Sequence, residues 1–176
     1  MLEVMRYLRA NRYKTYIVTG GGQAFVRTYA QRTYGVPPEQ VIGSALETQF
    51  TYDAEGDAVL MRPPKLLINN DFSGKAEDIY LFIGGPPQAA FGNSPGDRQM
   101  PEYTQSSGKG ALMMLVLHDD AVREYAYGPA EGLPESKIGT FSPVALRRSQ
   151  GKGLERDQHE ARLETDFFPF EQWISI

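Results

Sequence analysis

Cysteine is absent from this 176-residue chain, and histidine occurs only twice, as His118 and His159. Without cysteine there can be no disulfide and no thiolate metal site, and the redox compartment stays open. Two histidines far apart in sequence speak against a histidine-built zinc centre. Long apolar runs are missing as well. The longest, Ala111–Leu117, is of strand length, far short of the roughly 20 residues that cross a bilayer. The residues behind Met1 lack the basic, apolar and small-residue succession of a signal peptide, so the compartment, cytoplasmic or periplasmic, is undecided. There is no excess of positive charge: the formal net charge is −4, which gives no footprint for nucleic acid. No internal repeat is visible.

What is present is enough for one domain. Apolar residues make up 41% of the chain, sufficient for a core of ordinary size. Leu2–Asn11 reads as an amphipathic helix, and Tyr13–Thr19 as a strand that stops at Gly20-Gly21-Gly22. Gln23–Tyr34 continues as a helix ended by Gly35. A short strand is expected over Gln40–Ser44. Two alternating runs in Glu47–Met61, around Ala54-Glu55-Gly56, predict a β-hairpin, and Leu66–Ile68 a further extended piece. Gly74–Gly84 is helical in pattern, Gln88–Phe91 a strand, and Arg98–Gly108 a helix that tolerates Pro101 in its first turn. Ala111–His118 reads as a buried strand, and Asp119–Tyr127 as a helix opened by an acidic cap. Strands alternating with helices point to α/β architecture with a parallel, doubly wound sheet. From Ser149 to Glu164 the apolar content falls and no period remains, so residues 147–176 form a poorly patterned tail behind a core of 1–146.

The chain is organised around Phe91–Met100, FGNSPGDRQM, a glycine-hinged turn that follows a strand. Open α/β sheets place their chemistry at such strand ends. Asn93 and Asp97 stand on it four residues apart. Gly92–Gly96 also matches G-x-S-x-G, the nucleophile elbow of serine hydrolases, with Ser94 as nucleophile. That elbow needs an N–H on the residue after the serine, and Pro95 has none. His159, the histidine suitably placed in chain order, falls in the unpatterned tail. Upstream, Thr19 ends a strand before three glycines, a hydroxyl beside backbone N–H groups that suits an anion. The dinucleotide fingerprint fails there because its third glycine is absent, and Lys109 in SSGKG fails as a P-loop for want of the upstream glycine.

Thr19-Gly20, Lys75 in Gly74-Lys75-Ala76-Glu77, and Gly92-Asn93-Ser94-x-Gly96-Asp97 occur in an order that resembles the haloacid dehalogenase (HAD) superfamily, in its phosphoserine-phosphatase-like branch. The resemblance implies a HAD-like Rossmannoid three-layer fold, a mostly parallel sheet with a small β-hairpin, and Mg²⁺-dependent hydrolysis of a small-molecule phosphomonoester. It would have Thr19, Gly20 and Gly21 hold phosphate and Lys75 neutralise the reacting groups, with Lys65 and Lys109 less suitably surrounded. Asn93 would give an oxygen to Mg²⁺, and Asp97 would anchor a metal-bound water or the lysine. Relatives with GNS usually carry an acid where Pro95 stands. The family attacks phosphate with an aspartate in a D-x-D motif. No D-x-D occurs here, and Asp119-Asp120 is out of order for it. The expectation is therefore a chain that begins after the nucleophile, lacks the central first strand and is inactive alone. A dead phosphate- or metal-binding remnant is the alternative. A membrane or nucleic-acid partner is not expected. For the tail, a permitted back-translation of Arg147–Phe167 read one base later contains WSVINM and resembles the end of this branch, so a frameshift product, loosely attached, is expected there.

Overall fold

The computed structural model describes residues 1–108, 110–117, 122, 142–145 and 173–175. Helix α1 (Leu2–Ala10) forms where Val4, Met5 and Leu8 recur at helical spacing, and Met5 is its buried residue. Strand β1 (Lys14–Gly22) alternates its side chains between two cores: Ile17 packs with Met5, Val26 and Val41, whereas Val18 packs with Ile42, Ile79 and Met100. Two short helices follow, α2 (Gln23–Arg27) and α3 (Ala30–Tyr34), the second closed by Gly35 at φ 70°. Strand β2 (Val41–Leu46) is followed by the hairpin β3 (Gln49–Tyr52) and β4 (Ala58–Met61) and by β5 (Leu66–Ile68). The hairpin turn is held by Asp53, whose Oδ1 accepts the N–H groups of Glu55 and Asp57, with Gly56 at φ 86°. Helix α4 (Ser73–Ile83), strand β6 (Ala89–Gly92), helix α5 (Gln99–Gln105), and strands β7 (Leu112–Leu117), β8 (Ser142–Ala145) and β9 (Trp173–Ser175) complete the described chain.

The protein is mixed α/β. Its larger sheet has the order β5-β2-β1-β9-β6-β7-β8. β1 pairs parallel with β2 and β9, β6 with β9 and β7, and β7 with β8. β5 pairs antiparallel with β2, and the hairpin is antiparallel within itself, so the sheets are partly antiparallel. Side chains of α1, α2 and α3 pack with Ile17, Val41, Ala89 and Phe91, and those of α4 and α5 with Val18, Ile42 and Ala90. Helices thus cover both faces, which is why β6 is buried at every position and reads as an unbroken apolar run. Among the described residues no helix is long and apolar enough to cross a membrane.

Four expectations change. The strand expected to stop at Gly20 continues to Gly22, with its pairing to β2 shifting between Thr19 and Gly22. The single helix over Gln23–Tyr34 is broken at Thr28–Tyr29, where the Thr28 hydroxyl donates to the Phe25 carbonyl and competes with the helical ladder. The helix expected from Arg98 to Gly108 is the shorter α5, preceded by a 3-10 turn at Pro95–Asp97. Between β1 and β6 there is neither a gap nor direct closure. β9 stands there, with Thr15 and Ala89 both in register with Ile174. It satisfies backbone groups that a sheet centre would otherwise leave unpaired. The helix expected over Asp119–Tyr127, except Val122, lies outside the described residues. So do Lys109, Asp119-Asp120, both histidines and the tail stretch Arg147–Phe167.

Candidate functional site

The chain leaves β1 for β2 on one side and leaves β6 for β7 on the other. Connections that diverge in this way open a crevice beyond the carboxyl ends of the strands. β9 reaches only the level of Tyr16 on β1 and Ala90 on β6. The ends of β1 and β6 continue past it, carrying the Thr19 turn and the Asn93–Asp97 turn to the crevice.

Lys75 comes to the crevice from the first turn of α4. The backbone before it is tight: Phe72 has φ 50° and ψ −118°, and a Cβ on Gly74 would run into the Asn69 carbonyl. Only glycine fits there, and the strained turn brings the lysine stem under the sheet end. The Lys75 ammonium, with its side chain 6% exposed, donates to the Val18 carbonyl at 2.8 Å and meets Asp97 Oδ1 at 3.1 Å. A buried ammonium has three protons to place. Among the described residues two of them have partners, the Val18 carbonyl and Asp97.

Asp97 holds the second turn. Its Oδ2 accepts the N–H of Asn93 at 2.8 Å, the N–H of Ser94 at 2.9 Å and the Ser94 hydroxyl at 3.1 Å. Ser94 is the N-cap of the 3-10 turn, and it forms a reciprocal capping box with Asp97. Gly92 must be glycine, because an added Cβ would come within 2.7 Å of the Asp97 Cβ. The sequence order of Lys75 and Asp97 thus becomes a buried ion pair that ties α4 to the turn after β6. No protein-family model and no curated protein matches the chain. Its chemistry is therefore read from this geometry and from the motif resemblance.

The three phosphate candidates lie together at the end of β1. Thr19 Oγ1 accepts the Gly21 N–H at 3.0 Å, and Gly20 and Gly21 are exposed. The Gly21 N–H is thereby committed, while among the described residues the Thr19 hydroxyl proton has no acceptor. Behind the turn lies Asn70, fully buried. Its Nδ2 donates to the Thr19 carbonyl at 2.7 Å, and its N–H donates to Ser44 Oγ, whose hydroxyl in turn donates to the Gly20 carbonyl at 2.8 Å. This network fixes the turn from below, and sequence reading missed it. Among the described residues Asn70 Oδ1, Asp78 Oδ2 and Gln99 Oε1 have no hydrogen-bond partner. Asp78, one turn after Lys75 on α4, has its pKa raised, first by burial and then by the neighbouring Glu77.

Asp71 was also missed. An added Cβ on Gly96 would lie 2.8 Å from Asp71 Oδ1, and one on Gly20 would lie 3.6 Å from it. The two turns therefore face each other across this carboxylate. Lys65, the rival cation, is exposed and pairs with Glu47 at 2.6 Å.

A Mg²⁺ held by Asn93 and Asp97 fits this arrangement poorly. Asp97 has one oxygen filled by three donors and the other facing an ammonium, and Asn93 has only a neutral oxygen to add. Among the described residues there is no group of three His, Asp or Glu side chains able to hold a metal. What Asp97 does is orient Lys75 and the turn.

Proposed function

We propose that the crevice between β1 and β6 binds the phosphate of a small phosphomonoester, as in HAD-type phosphohydrolases, within a chain that does not carry the attacking aspartate. The observation that carries this reading is Lys75, an ammonium buried at the carboxyl ends of the strands, with two of its three protons placed among the described residues. Thr19 follows Val18, whose carbonyl takes the Lys75 ammonium, and carries a hydroxyl on a turn fixed by Asn70. Phosphoryl transfer needs charge neutralised and a nucleophile held in line. The first is supplied by Lys75. For the second, no D-x-D is present in the sequence. The serine-hydrolase reading is weaker, because Ser94 spends its hydroxyl proton on Asp97 and Pro95 offers no oxyanion donor.

Titration with inorganic phosphate, followed by calorimetry with and without Mg²⁺, tests the site. Binding is expected in wild type and is expected to be lost in Lys75→Met with the far-UV spectrum unchanged. Equal phosphate affinity in the two proteins would overturn the reading. In parallel, p-nitrophenyl phosphate with Mg²⁺ should not be turned over. Turnover that disappears in Lys75→Met would mean that a nucleophile is present after all.

A further inference from the structure

The hairpin β3–β4 is a sheet of its own, and among the described elements its strands have each other as their only substantial neighbours. A lone two-stranded ribbon is marginal in water unless a face of it packs on something. The register pairs Phe50 with Leu60, Thr51 with Val59 and Tyr52 with Ala58. Period two therefore puts Phe50, Leu60, Tyr52 and Ala58 on one face. The other face carries Gln49, Thr51, Val59 and Met61, of which the middle pair is half-buried. A surface ribbon usually turns its polar side to water. Here the apolar side faces out, with Phe50 64%, Tyr52 66% and Leu60 68% exposed. The two rings meet edge to face with centroids 5.3 Å apart, so this is one continuous apolar face rather than scattered side chains.

Charge is polarised along the same ribbon. Its turn carries Asp53, Glu55 and Asp57, and its base carries Arg62, two residues beyond Leu60 and hence on the apolar side; all four are exposed. Lys65, near the base, is paired with Glu47, whereas Arg62, Glu55 and Asp57 have no ion-pair partner among the described residues. At about 3.4 Å per residue, Arg62 lies roughly 10 Å from the Thr51–Val59 pair toward the base, and Glu55 roughly as far toward the tip. We propose that this face docks a second copy of the chain, the two ribbons lying antiparallel about a two-fold axis that crosses them at the Thr51–Val59 level. That axis lays the Phe50–Leu60 pair of each copy over the Tyr52–Ala58 pair of the other. Aromatic rings then meet each other, the large Leu60 meets the small Ala58, and each basic end meets an acidic turn. With about 200 Å² in an aromatic side chain, the uncovered parts of this face, its base and its tip come to roughly 600 Å² per copy. Two copies reach about 1,200 Å², the low end of specific interfaces, which makes the dimer weak and reversible. An anionic lipid surface fits worse, because three acids stand at the tip and the chain has a net charge of −4.

Sedimentation equilibrium of the full chain over a concentration series tests the docking. Wild type should pass from monomer to dimer as its concentration rises. Leu60→Gln, a change at an exposed position, should stay monomeric with an unchanged far-UV spectrum. Two charge variants test the orientation: Glu55→Lys/Asp57→Lys, which makes the turn basic, and Arg62→Glu, which makes the base acidic. Each should weaken self-association about tenfold, because the two-fold axis uses each contact twice. An equal mixture of the two should recover the dimer that neither forms well alone, since opposite charges then meet at both contacts. A wild type that is monomeric at every concentration overturns the proposal, and a urea midpoint lowered in Leu60→Gln would then show the face to be covered from within the chain. A dimer indifferent to Leu60→Gln overturns it too, by placing the interface elsewhere. Failure of the mixture to recover the dimer refutes the antiparallel seating and the proposal with it.

Discussion

The buried pair between Lys75 and Asp97 makes a quantitative prediction. Unit charges 3.1 Å apart attract by about 5 kcal/mol at an effective dielectric of about 20. Burial of both groups offsets much of that, so the net worth of the pair is smaller than the attraction. Breaking the pair from one side costs more than the pair is worth, because it leaves one buried charge uncompensated. Lys75→Met keeps the length and apolar stem, and leaves Asp97 Oδ2 with its three donors. It should cost about 3 kcal/mol. Asp97→Asn strands the ammonium and also weakens the acceptor on which the Ser94 turn depends, so its cost should be at least as large, about 3–5 kcal/mol. The double variant removes both charges and should fall short of the summed losses by about 2 kcal/mol. Urea unfolding followed by far-UV circular dichroism measures all four proteins, with an unchanged slope required for the comparison. Losses that add to within about 0.5 kcal/mol would refute the coupling and, with it, the assignment of Asp97 as the lysine's anchor.

Three further outcomes follow from particular contacts. Ile174→Pro, which places proline in a strand bonded on both sides, should cost about 1–3 kcal/mol for each ladder bond lost; an unchanged urea midpoint would mean that β9 is not held at the sheet centre. Asn70→Ala strips the Thr19 carbonyl of a buried donor and should cost about 1–3 kcal/mol while weakening phosphate binding; full phosphate affinity in a destabilised variant would detach the Asn70 network from the site. Asp78 has a folded pKa raised above its unfolded value, so the stability it contributes is present in acid and is lost as pH rises through the folded value. Asp78→Asn should therefore be more stable than wild type at neutral pH, with the difference shrinking as the pH is lowered; a difference that grows in acid would contradict the burial of this carboxyl.

Much of the local structure is legible because it depends on near neighbours. The apolar spacing of Leu2–Ala10 makes α1, Gly35 and Gly84 end helices with positive φ, and Asp53 with Gly56 turns the hairpin. The break at Thr28 was not legible, since one hydroxyl bond to Phe25 decides it against a continuous helical pattern. In the site, Lys75, Asn93 and Asp97 could be singled out by motif order. Asp71 and Asn70 could not. A lone acid or amide in a loop has no period, and Asp71 matters only because Gly20 and Gly96, distant along the chain, both approach it.

By itself, the sequence determined the element types, the glycine turns after β1 and β6 and the absence of a D-x-D nucleophile, all of them properties of short stretches or of composition. Tertiary structure alone decided that Trp173–Ser175 lies between β1 and β6 and that Lys75 reaches Val18 and Asp97. These pairings join residues far apart in sequence. Burial and backbone hydrogen bonding select them only once the helices have closed over both faces of the sheet, where an unpaired strand or ammonium is costly.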